Sequence, residues 1–407
     1  MKTMRVLFTT GILLLSLAGC AGVDLDEFIA ALESENMNAD PAAAQTDKPA
    51  EEAPVVETPG SSVFAERIPV QFDDSRTIEV EPYDTGFEPV ALSVIDALHA
   101  WVVGDDGAVA RTEDGGRTWQ DVEIPGFTNR LEAVSFYDRR HGIIADTNLT
   151  VAITSDGGDT WAVETLERRA RIPEDAFWYS SVETENGVPT RTHFHAAHAH
   201  GPRTFMVGGS FGTFFLYHNG EWEERTMISS QTIYGIDSVS DGTILVATGI
   251  GLADAFEIAR SSLLNPEWES IVNFTGPPAL GVHVSENGRL IAQGSAIMGD
   301  SYGDSTFSAS SRMQLGDMQE SISRRWGPGA IRDDAGWVFL NPAASGSSGE
   351  YGTLDLLYSD DGGDSWVVFS SSIEMGLAEA EFFEPGHALG IASTPGTWNR
   401  ELVGLRW

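Results

Sequence analysis

The stretch that decides the fold is Thr112–Trp119, TEDGGRTW, which recurs as Thr154–Trp161, TSDGGDTW, and as Ser359–Trp366, SDDGGDSW. An aspartate that accepts backbone N–H bonds and a glycine that adopts positive φ suit a tight hairpin turn. The tryptophan opens the next strand and packs into the gap between sheets. We therefore assign a structural role to the following positions: Asp114, Gly116, Trp119, Asp156, Gly158, Trp161, Asp361, Gly363 and Trp366.

The repeat continues between and beyond the octets as weaker copies, each ending in tryptophan. Successive tryptophans stand between 40 and 61 residues apart, at Trp119, Trp161, Trp222, Trp268, Trp326 and Trp366. A four-stranded propeller blade takes about 40–45 residues, so each step is one blade, in some cases with an insertion. We predict an all-β, seven-bladed β-propeller of four-stranded antiparallel blades. The six tryptophans end the first six blades, and the tail supplies three strands of the last.

The last blade lacks an outer strand in the tail, whose strands lie near Ala378–Phe383, His387–Ser393 and Glu401–Trp407. An isolated strand, Thr77–Tyr83, precedes the first blade. If this N-terminal strand completes the last blade, the ring closes and no open sheet edge remains there. We predict that closure.

The N-terminus has the features of an export signal. Lys2 and Arg5 precede the apolar run Leu7–Leu17, which is too short for a stable membrane span, and the sole cysteine, Cys20, follows at once. The residues Leu17-Ala18-Gly19-Cys20 resemble a bacterial lipobox; the alternative is an ordinary signal peptide with a chance cysteine. We expect a signal peptide at 1–19, a lipidated N-terminus with a disordered tether at 20–62, and the propeller at 63–407. Lipid on Cys20 would anchor the chain to the membrane, and Ala21 favours the outer membrane, facing the periplasm or the cell surface.

Composition restricts the partners. The chain has 407 residues with 61 Asp and Glu against 24 Lys and Arg, a net charge of −37. The negative electrostatic field of such a chain opposes contact with the phosphates of nucleic acids, so we expect no nucleic acid partner. A single cysteine excludes an intramolecular disulfide. We expect no cofactor, and we expect a monomer.

The longest insertions lie on the face opposite the octets. The octets are turns between the third and fourth strands, whereas Glu167–Arg191 joins one blade to the next. Met298–Thr306, Ala343–Thr353 and Thr394–Arg400 are predicted to join second and third strands. Long loops commonly carry function, and aromatic residues and arginine favour binding. The predicted binding residues are Arg168, Arg169, Arg171, Trp178, Tyr179, Tyr302, Tyr351 and Trp398; the alternative is that these loops pack over the rim.

Four of the nine histidines fall within eight residues, at His193, His195, His198 and His200. Such a tract can bind a transition metal. The tract aligns with an innermost strand, however, where alternation places the first two side chains on one face and the last two on the other. Only a bulge or a loop end would gather all four, so the metal-site interpretation stays open.

The octet resembles the Asp box, or BNR repeat, of sialidases, sortilin and the photosystem II assembly-factor family. Across about Phe87–Trp366 the chain is most similar to the last of these. That resemblance implies a propeller that acts as an assembly scaffold without catalysis, and several bacterial members are exported, some as lipoproteins. The strong acidity and the lack of lysine differ from the basic patch of the photosynthetic members.

Two functions follow as hypotheses. The first is a lipid-anchored, non-catalytic scaffold that binds an envelope protein or a glycan through its loop-rich face. The second is a glycan-cleaving enzyme, a sialidase or another BNR-repeat hydrolase. Arg67-Ile68-Pro69 and Arg171-Ile172-Pro173 are similar to a sialidase element whose arginine binds the substrate carboxylate, but no local motif supplies the remaining catalytic set.

Overall fold

The structure is a computed structural model. It describes residues 70–172, 182–225, 227, 231–250, 255–275, 281–284, 290–293, 297–299, 311–312, 326–332, 337–342, 353–359, 366–393 and 399–407. All of these fall in the unit Ala65–Trp407. Cys20, the predicted signal peptide and the predicted tether lie outside the described residues. No helix in the described part is both long and apolar enough to cross a membrane.

The described chain is built almost entirely of strands. Two 3₁₀ turns, Asp105–Gly107 and Ser210–Gly212, each connect a second strand to a third. In chain order the strands are β1 (Val70–Thr77), β2 (Glu79–Tyr83), β3 (Pro89–Val94), β4 (Ala100–Gly104), β5 (Val109–Thr112), β6 (Gln120–Asp121), β7 (Leu131–Phe136), β8 (Gly142–Asp146), β9 (Thr150–Thr154), β10 (Ala162–Thr165), β11 (Thr184–Glu185), β12 (Val188–Pro189), β13 (Phe194–Gly201), β14 (Thr204–Gly209), β15 (Phe214–His218), β16 (Glu221–Glu224), β17 (Thr232–Ser238), β18 (Thr243–Ile250), β19 (Ala255–Ser262), β20 (Glu269–Thr275), β21 (Gly281–Val284), β22 (Leu290–Gln293), β23 (Ile297–Gly299), β24 (Ser311–Arg312), β25 (Trp326–Arg332), β26 (Trp337–Pro342), β27 (Thr353–Ser359), β28 (Trp366–Glu374), β29 (Gly376–Glu384), β30 (His387–Ser393) and β31 (Arg400–Arg406).

Within the described part, these strands form six four-stranded sheets, one five-stranded sheet and one two-stranded hairpin. The larger sheets are β3–β6, β7–β10, β13–β16, β17–β20, β21–β24, β25–β28 with β1 added, and β29–β31 with β2 added. In each of them the strands that follow one another in the chain are neighbours, which gives the antiparallel meander typical of a propeller blade.

The first strand of each sheet contacts the first strand of the next. The series runs β3, β7, β13, β17, β21, β25 and β29, and β29 in turn contacts β3. The sheets are therefore arranged around a common centre, as in a β-propeller. Because residues 300–310, 313–325 and 343–352 lie outside the described part, the number of blades stays a prediction of the sequence.

The N-terminal strand β2 is the outer strand of the last sheet, as the sequence predicts. It pairs antiparallel with β31 in five consecutive residue pairs, from Glu79 with Arg406 to Tyr83 with Leu402. Tyr83 is buried with apolar side chains of the first and last sheets. This strand joins an early and a late part of the described residues in one sheet.

The core lies between neighbouring sheets, where large aromatic side chains meet. Trp101 of the first sheet stacks on Phe136 of the second, with ring centroids 4.5 Å apart. Trp161, the last residue of the second octet, meets Trp101 edge to face at 5.8 Å. Such pairs contribute about 0.5–1.5 kcal/mol beyond their buried area. The octet tryptophan therefore packs between sheets, as expected.

Polar side chains of the innermost strands bond to the backbone of the next sheet. Each of the bonds described joins a side-chain oxygen to an N–H group of the following inner strand: Ser93 Oγ with Phe136 (3.1 Å), Ser135 Oγ with Ala199 (3.0 Å), Asp237 Oδ2 with Val284 (2.8 Å) and Glu381 Oε2 with Val94 (2.6 Å). The last bond runs from the last sheet to the first. Neighbouring sheets are thus held by directed bonds in addition to apolar packing.

Two strand assignments made from the sequence are wrong. Trp326 does not end a blade but begins β25, the innermost strand of its sheet. Met298–Thr306 does not join a second strand to a third, because Ile297–Gly299 is itself the third strand and pairs with β22. The fourth strand, β24, pairs with β23, and Tyr302 lies outside the described residues.

Candidate functional site

The two described Asp boxes are closed by their own hydrogen bonds. In the first, Thr118 donates its backbone N–H to Asp114 Oδ1 at 2.9 Å and its hydroxyl to Oδ2 at 2.6 Å. Trp119 Nε1 donates to the Gly116 carbonyl at 3.0 Å. Gly116 has φ of 89°, in the left-handed region. The Asp114 carboxylate accepts hydrogen bonds from residues of its own turn, so its role is structural.

The second box repeats this geometry around Asp156. Thr160 donates its hydroxyl and its backbone N–H to the carboxylate, which lowers the pKa of Asp156 to about 2. Trp161 Nε1 donates to the Gly158 carbonyl at 3.1 Å. In the third box, Asp361 and Gly363 lie outside the described residues, and Trp366 begins β28.

The loop that leaves β10 at the opposite end from the Asp boxes is anchored by a buried arginine. Arg168 Nη1 donates to the Ser210 carbonyl at 3.0 Å and Nη2 to the Phe211 carbonyl at 2.9 Å. Nη1 also donates to the Thr213 hydroxyl. Burial lowers the pKa of Arg168 to about 10. The side chain thus ties the loop to a 3₁₀ turn of the next sheet and is itself covered.

A carboxylate fixes the backbone of the same loop. Glu224 at the end of β16 accepts the N–H of Arg169 at 2.8 Å and that of Ala170 at 3.1 Å. Ile172 N–H donates to the Gly187 carbonyl at 3.0 Å. The loop is therefore held on both sides, and nothing in the sequence signalled the role of Glu224.

The anchored loop presents two exposed guanidinium groups. The side chain of Arg169 is 79% exposed, and its Nη2 lies 3.0 Å from Oε2 of Glu167 in an ion pair. The Glu167 side chain is 77% exposed. Arg171 is exposed and lies beside the tight β11–β12 turn, where Asn186 and Gly187 both have positive φ. An exposed ion pair of this kind is weak, so both cations remain accessible to a ligand.

Between the loop and the β11–β12 hairpin lies an open cleft of about 440 Å³. Its walls carry Arg169, Arg171 and Glu185 together with Val188 and Pro189. This volume is within the range of ligand pockets. Arg168, Arg169 and Arg171 thus lie together, with Arg168 as a support. The predicted aromatic residues Trp178, Tyr179, Tyr302, Tyr351 and Trp398 lie outside the described residues.

Three histidines of the tract, His195, His198 and His200, lie in the innermost strand β13, and His193 immediately precedes it. His195 Nε2 lies 3.1 Å from Ser210 Oγ, whereas His198 Nε2 and His200 Nδ1 lie 2.7 and 2.8 Å from Ser238 Oγ. The tract is therefore divided as alternation predicts. Burial lowers the pKa of His195 to about 4 and that of His198 to about 3, so both are neutral near pH 7. In the part of the chain that the structure describes, no three His, Cys, Asp or Glu side chains are placed to hold a metal ion.

A central cavity of about 600 Å³ is lined by the innermost strands. Two glutamates of β29 line it. Glu379 Oε2 accepts the N–H of Leu92 at 3.1 Å, while Glu381 bonds to Val94. Burial, with a smaller effect of Glu381, raises the pKa of Glu379 to about 8. Neither glutamate is among the predicted site residues, although the alternation in Ala378–Phe382 (AEAEF) indicates polar side chains on one face of a strand.

Comparison with known proteins supports this architecture. The family model for the photosynthesis system II assembly factor YCF48 matches residues 74–169, which contain the first two Asp boxes. No curated protein matches the chain.

Solved propellers match over most of the chain at low identity. A structure of YCF48 bound to a D1 peptide has a TM-score of 0.56 at 18% identity and covers 83% of this chain and 97% of its own. The structure of YCF48 from Cyanidioschyzon merolae has a TM-score of 0.52 at 15% sequence identity, and the match covers 81% of this chain and 99% of that one. The Cps50 (Swd1) propeller domain of Myceliophteria thermophila has a TM-score of 0.53 at 13% sequence identity, and the match covers 81% of this chain and 99% of that domain. The chain therefore carries a BNR-type β-propeller that resembles the photosystem II assembly factor YCF48.

Proposed function

We propose that this propeller is a non-catalytic scaffold that binds a partner protein through its loop-rich face, with a glycan as the other ligand class. The observation that carries the proposal is the anchored loop 167–172. Arg168 and Glu224 fix its backbone, and the loop holds Arg169 and Arg171 exposed beside a cleft. A fixed loop loses little conformational freedom on binding, which favours affinity.

The comparison supports a peptide as the ligand. A propeller of the same type has been solved with a D1 peptide, so this fold is compatible with a peptide ligand. Arginine is favoured at binding hot spots, and the cleft exposes Arg169 and Arg171 beside Glu167 and Glu185, so it offers groups of both charges on a chain of net charge −37. We infer that the partner presents a polar segment whose carboxylate groups pair with Arg169 and Arg171.

The proposal includes the location. The basic start, the apolar run and Cys20 support export and lipid attachment, and the acidic chain is then held at the outer membrane by lipid. Radiolabelled palmitate incorporation into the natural chain, lost in Cys20→Ala, tests this part. Incorporation that survives the substitution would contradict it.

The hydrolase hypothesis needs free carboxylates in the cavity. Glu379 and Glu381 line the cavity, but each accepts a backbone N–H of the first sheet. Both side chains therefore bond the last sheet to the first, which is a structural role, and this favours the scaffold over the hydrolase. Incubation with a fluorogenic sialoside tests the alternative; turnover that Glu379→Gln abolishes would favour the hydrolase.

The scaffold is tested by capture from the detergent-solubilised envelope of the native cell, with the tagged, lipidated chain at native salt. We expect a stoichiometric partner to be lost when Arg169 and Arg171 are both replaced by Ala. Arg140→Ala, an exposed arginine on a turn at the octet end, is the matched control and should retain the partner. Equal capture by all three chains would contradict the assignment of the face.

A further inference from the structure

The seam where the last sheet meets the first holds two buried polar atoms without a hydrogen-bond partner. Tyr83 of the closing strand β2 is 9% exposed, and His387 of β30 is 5% exposed. Among the described residues, neither the Tyr83 hydroxyl nor His387 Nε2 has a hydrogen-bond partner. Because buried polar groups in folded proteins are almost always hydrogen-bonded, two such atoms at one seam indicate a partner from outside the chain.

The Tyr83 ring lies at this seam because two glycines make room for it. A Cβ at Gly116 of the first octet would lie 2.5 Å from Tyr83 Cε2, and a Cβ at Gly404 of β31 would collide with the hydroxyl oxygen. Tyr83 pairs with Leu402, so it shares a face of the sheet with Arg406, four positions further along β31. The ring therefore reaches from the last sheet onto the turn of the first octet.

Two arginines approach both buried groups. His387 pairs with Arg406 on the neighbouring strand, and Arg117 belongs to the first octet. Burial lowers the pKa of His387 to about 4, and the charges of Arg406 and Arg117 act in the same direction. Burial, with a smaller effect of Glu81, raises the pKa of Tyr83, and both arginines oppose this rise. Near pH 7 both buried groups are therefore neutral, and the two guanidinium groups beside them are positive.

Neither of these guanidinium groups is matched by a carboxylate. In the part of the chain that the structure describes, Arg117 and Arg406 take part in no ion pair. Arg117 Nη1 donates to the Asp114 carbonyl at 3.4 Å. Glu79 and Glu81 of β2 are exposed to solvent, which screens their charges. The seam therefore offers two cations and two neutral groups to an anion from solution.

We propose that the two buried groups and the two arginines form a binding site for a small oxyanion of the phosphate or sulfate class, which bridges the last sheet and the first. The site consists of Tyr83, His387, Arg117 and Arg406. The planar guanidinium of arginine has five donors in a fork that matches the oxygens of such an anion. The anion also accepts the Tyr83 O–H and the Nε2–H of neutral His387.

The exposure of the four residues gives the anion a way in. Arg117 is exposed and Arg406 is half-buried, so they form the entrance, whereas Tyr83 and His387 form the floor. The site lies at the octet end of the sheets. It is therefore separate from the loop-rich face and independent of the function proposed above.

The first test is thermal unfolding of the full chain in potassium sulfate, compared with potassium chloride of equal ionic strength. An anion that binds only the folded state raises Tm, and we expect a saturable rise of about 2–4 °C at a sulfate concentration of about ten times the dissociation constant. Arg406→Gln should need about tenfold more sulfate for the same rise. Equal sulfate dependence of the two chains, or an equal rise in chloride, would overturn the proposal.

Tyr83→Phe separates anion binding from packing, because it keeps the ring against Gly116 and removes only the hydroxyl. In chloride we expect an unchanged or higher Tm, since the lost hydroxyl has no acceptor there. In sulfate we expect a smaller rise than in the natural chain, since one donor to the anion is gone. A hydroxyl with a purely structural role would lower Tm equally in both salts, and that result would contradict the site.

A second pair of variants locates the anion. The double variant Arg169→Ala with Arg171→Ala removes the exposed cations of the cleft, and we expect it to keep the full sulfate-dependent rise because the cleft lies at the other end of the sheets. Loss of the rise in that variant would place the anion in the cleft and refute the site.

Arg117→Gln keeps the test decisive if Arg406→Gln does not fold, because Arg117 is exposed. Phosphorus-31 NMR then measures binding directly. We expect the line of inorganic phosphate to broaden with the natural chain, to sharpen again when sulfate competes, and to broaden less with Arg117→Gln. Equal broadening by the two chains, or none by the natural chain, would refute the site.

Discussion

Glu381 Oε2 accepts the backbone N–H of Val94 at 2.6 Å, although 287 positions separate the two residues in the chain. The bond joins the inner strand of the last sheet to that of the first. We expect Glu381→Ala to lower the free energy of unfolding by about 1–3 kcal/mol, because the N–H of Val94 loses its acceptor. Urea denaturation of the purified chain measures the change. Glu384→Ala, at the exposed end of the same strand, should change it by less than about 0.5 kcal/mol; equal losses would contradict the closing role.

Glu379 makes stability depend on pH in a defined direction. Its pKa is raised from 4.5 to about 8, so the folded state holds a proton that the unfolded chain has released. The contribution is fully present below about pH 4.5 and is lost as the pH rises through about 8. We expect the Tm difference between Glu379→Gln and the natural chain to grow in favour of the variant from pH 5 to pH 9. A difference that is constant with pH would contradict the raised pKa.

Trp161 is predicted to stabilise the interface between the first two sheets through Trp101. Truncation of a buried aromatic side chain to Ala lowers the free energy of unfolding by about 3–5 kcal/mol. Because the Trp161 ring is partly exposed, we expect Trp161→Ala to fall at the lower end of that range. Trp161→Phe keeps a ring but not the indole N–H bond to Gly158 and should cost less. Guanidinium denaturation followed by fluorescence measures both. Equal costs would show that the ring contact with Trp101 contributes nothing.

The neighbouring arginines Arg168 and Arg169 should separate stability from binding. Arg168→Ala removes the guanidinium donor from the Ser210 and Phe211 carbonyls, of which the Ser210 carbonyl still accepts from Thr213, and it empties a buried position; we expect a loss of about 1–3 kcal/mol in the free energy of unfolding. Arg169→Ala removes an exposed side chain and should change stability by less than about 0.5 kcal/mol. Denaturation curves for the two variants provide the comparison. Equal destabilisation would contradict the distinction between support and ligand-facing residue.

The octets made the turns predictable because the bonds of their aspartate side chains are local, although Gly115 and Gly157 also donate to the Leu98 and Arg140 carbonyls of the neighbouring turns. Asp114 bonds only within Thr112–Thr118, so eight residues specify the turn without knowledge of the rest of the chain. The strands of the last sheet were also found, since their apolar alternation is a local signal. Trp326 was misplaced because it lacks the aspartate and glycines of an octet, and a tryptophan alone does not distinguish an outer strand from an inner one.

The residues that support the candidate site could not be found in this way. Glu224 contacts Arg169 across 55 positions, and Glu379 contacts Leu92 across 287. Such contacts depend on how the sheets are arranged around the centre, which no short sequence pattern specifies. The sequence therefore indicated the loop that carries Arg168, Arg169 and Arg171, but not the groups that hold it in place.

The pairing of β2 with β31 also determines when the chain can finish folding. Residues 79–83 are among the first of the described strands to leave the ribosome, and residues 400–406 are the last. The early strand must wait, without its native neighbour, until residues 400–406 have been synthesised. A chain that terminates before Arg400 would leave β2 without that neighbour and the last sheet open, so premature termination near the end would expose pairing surfaces at both ends of the protein.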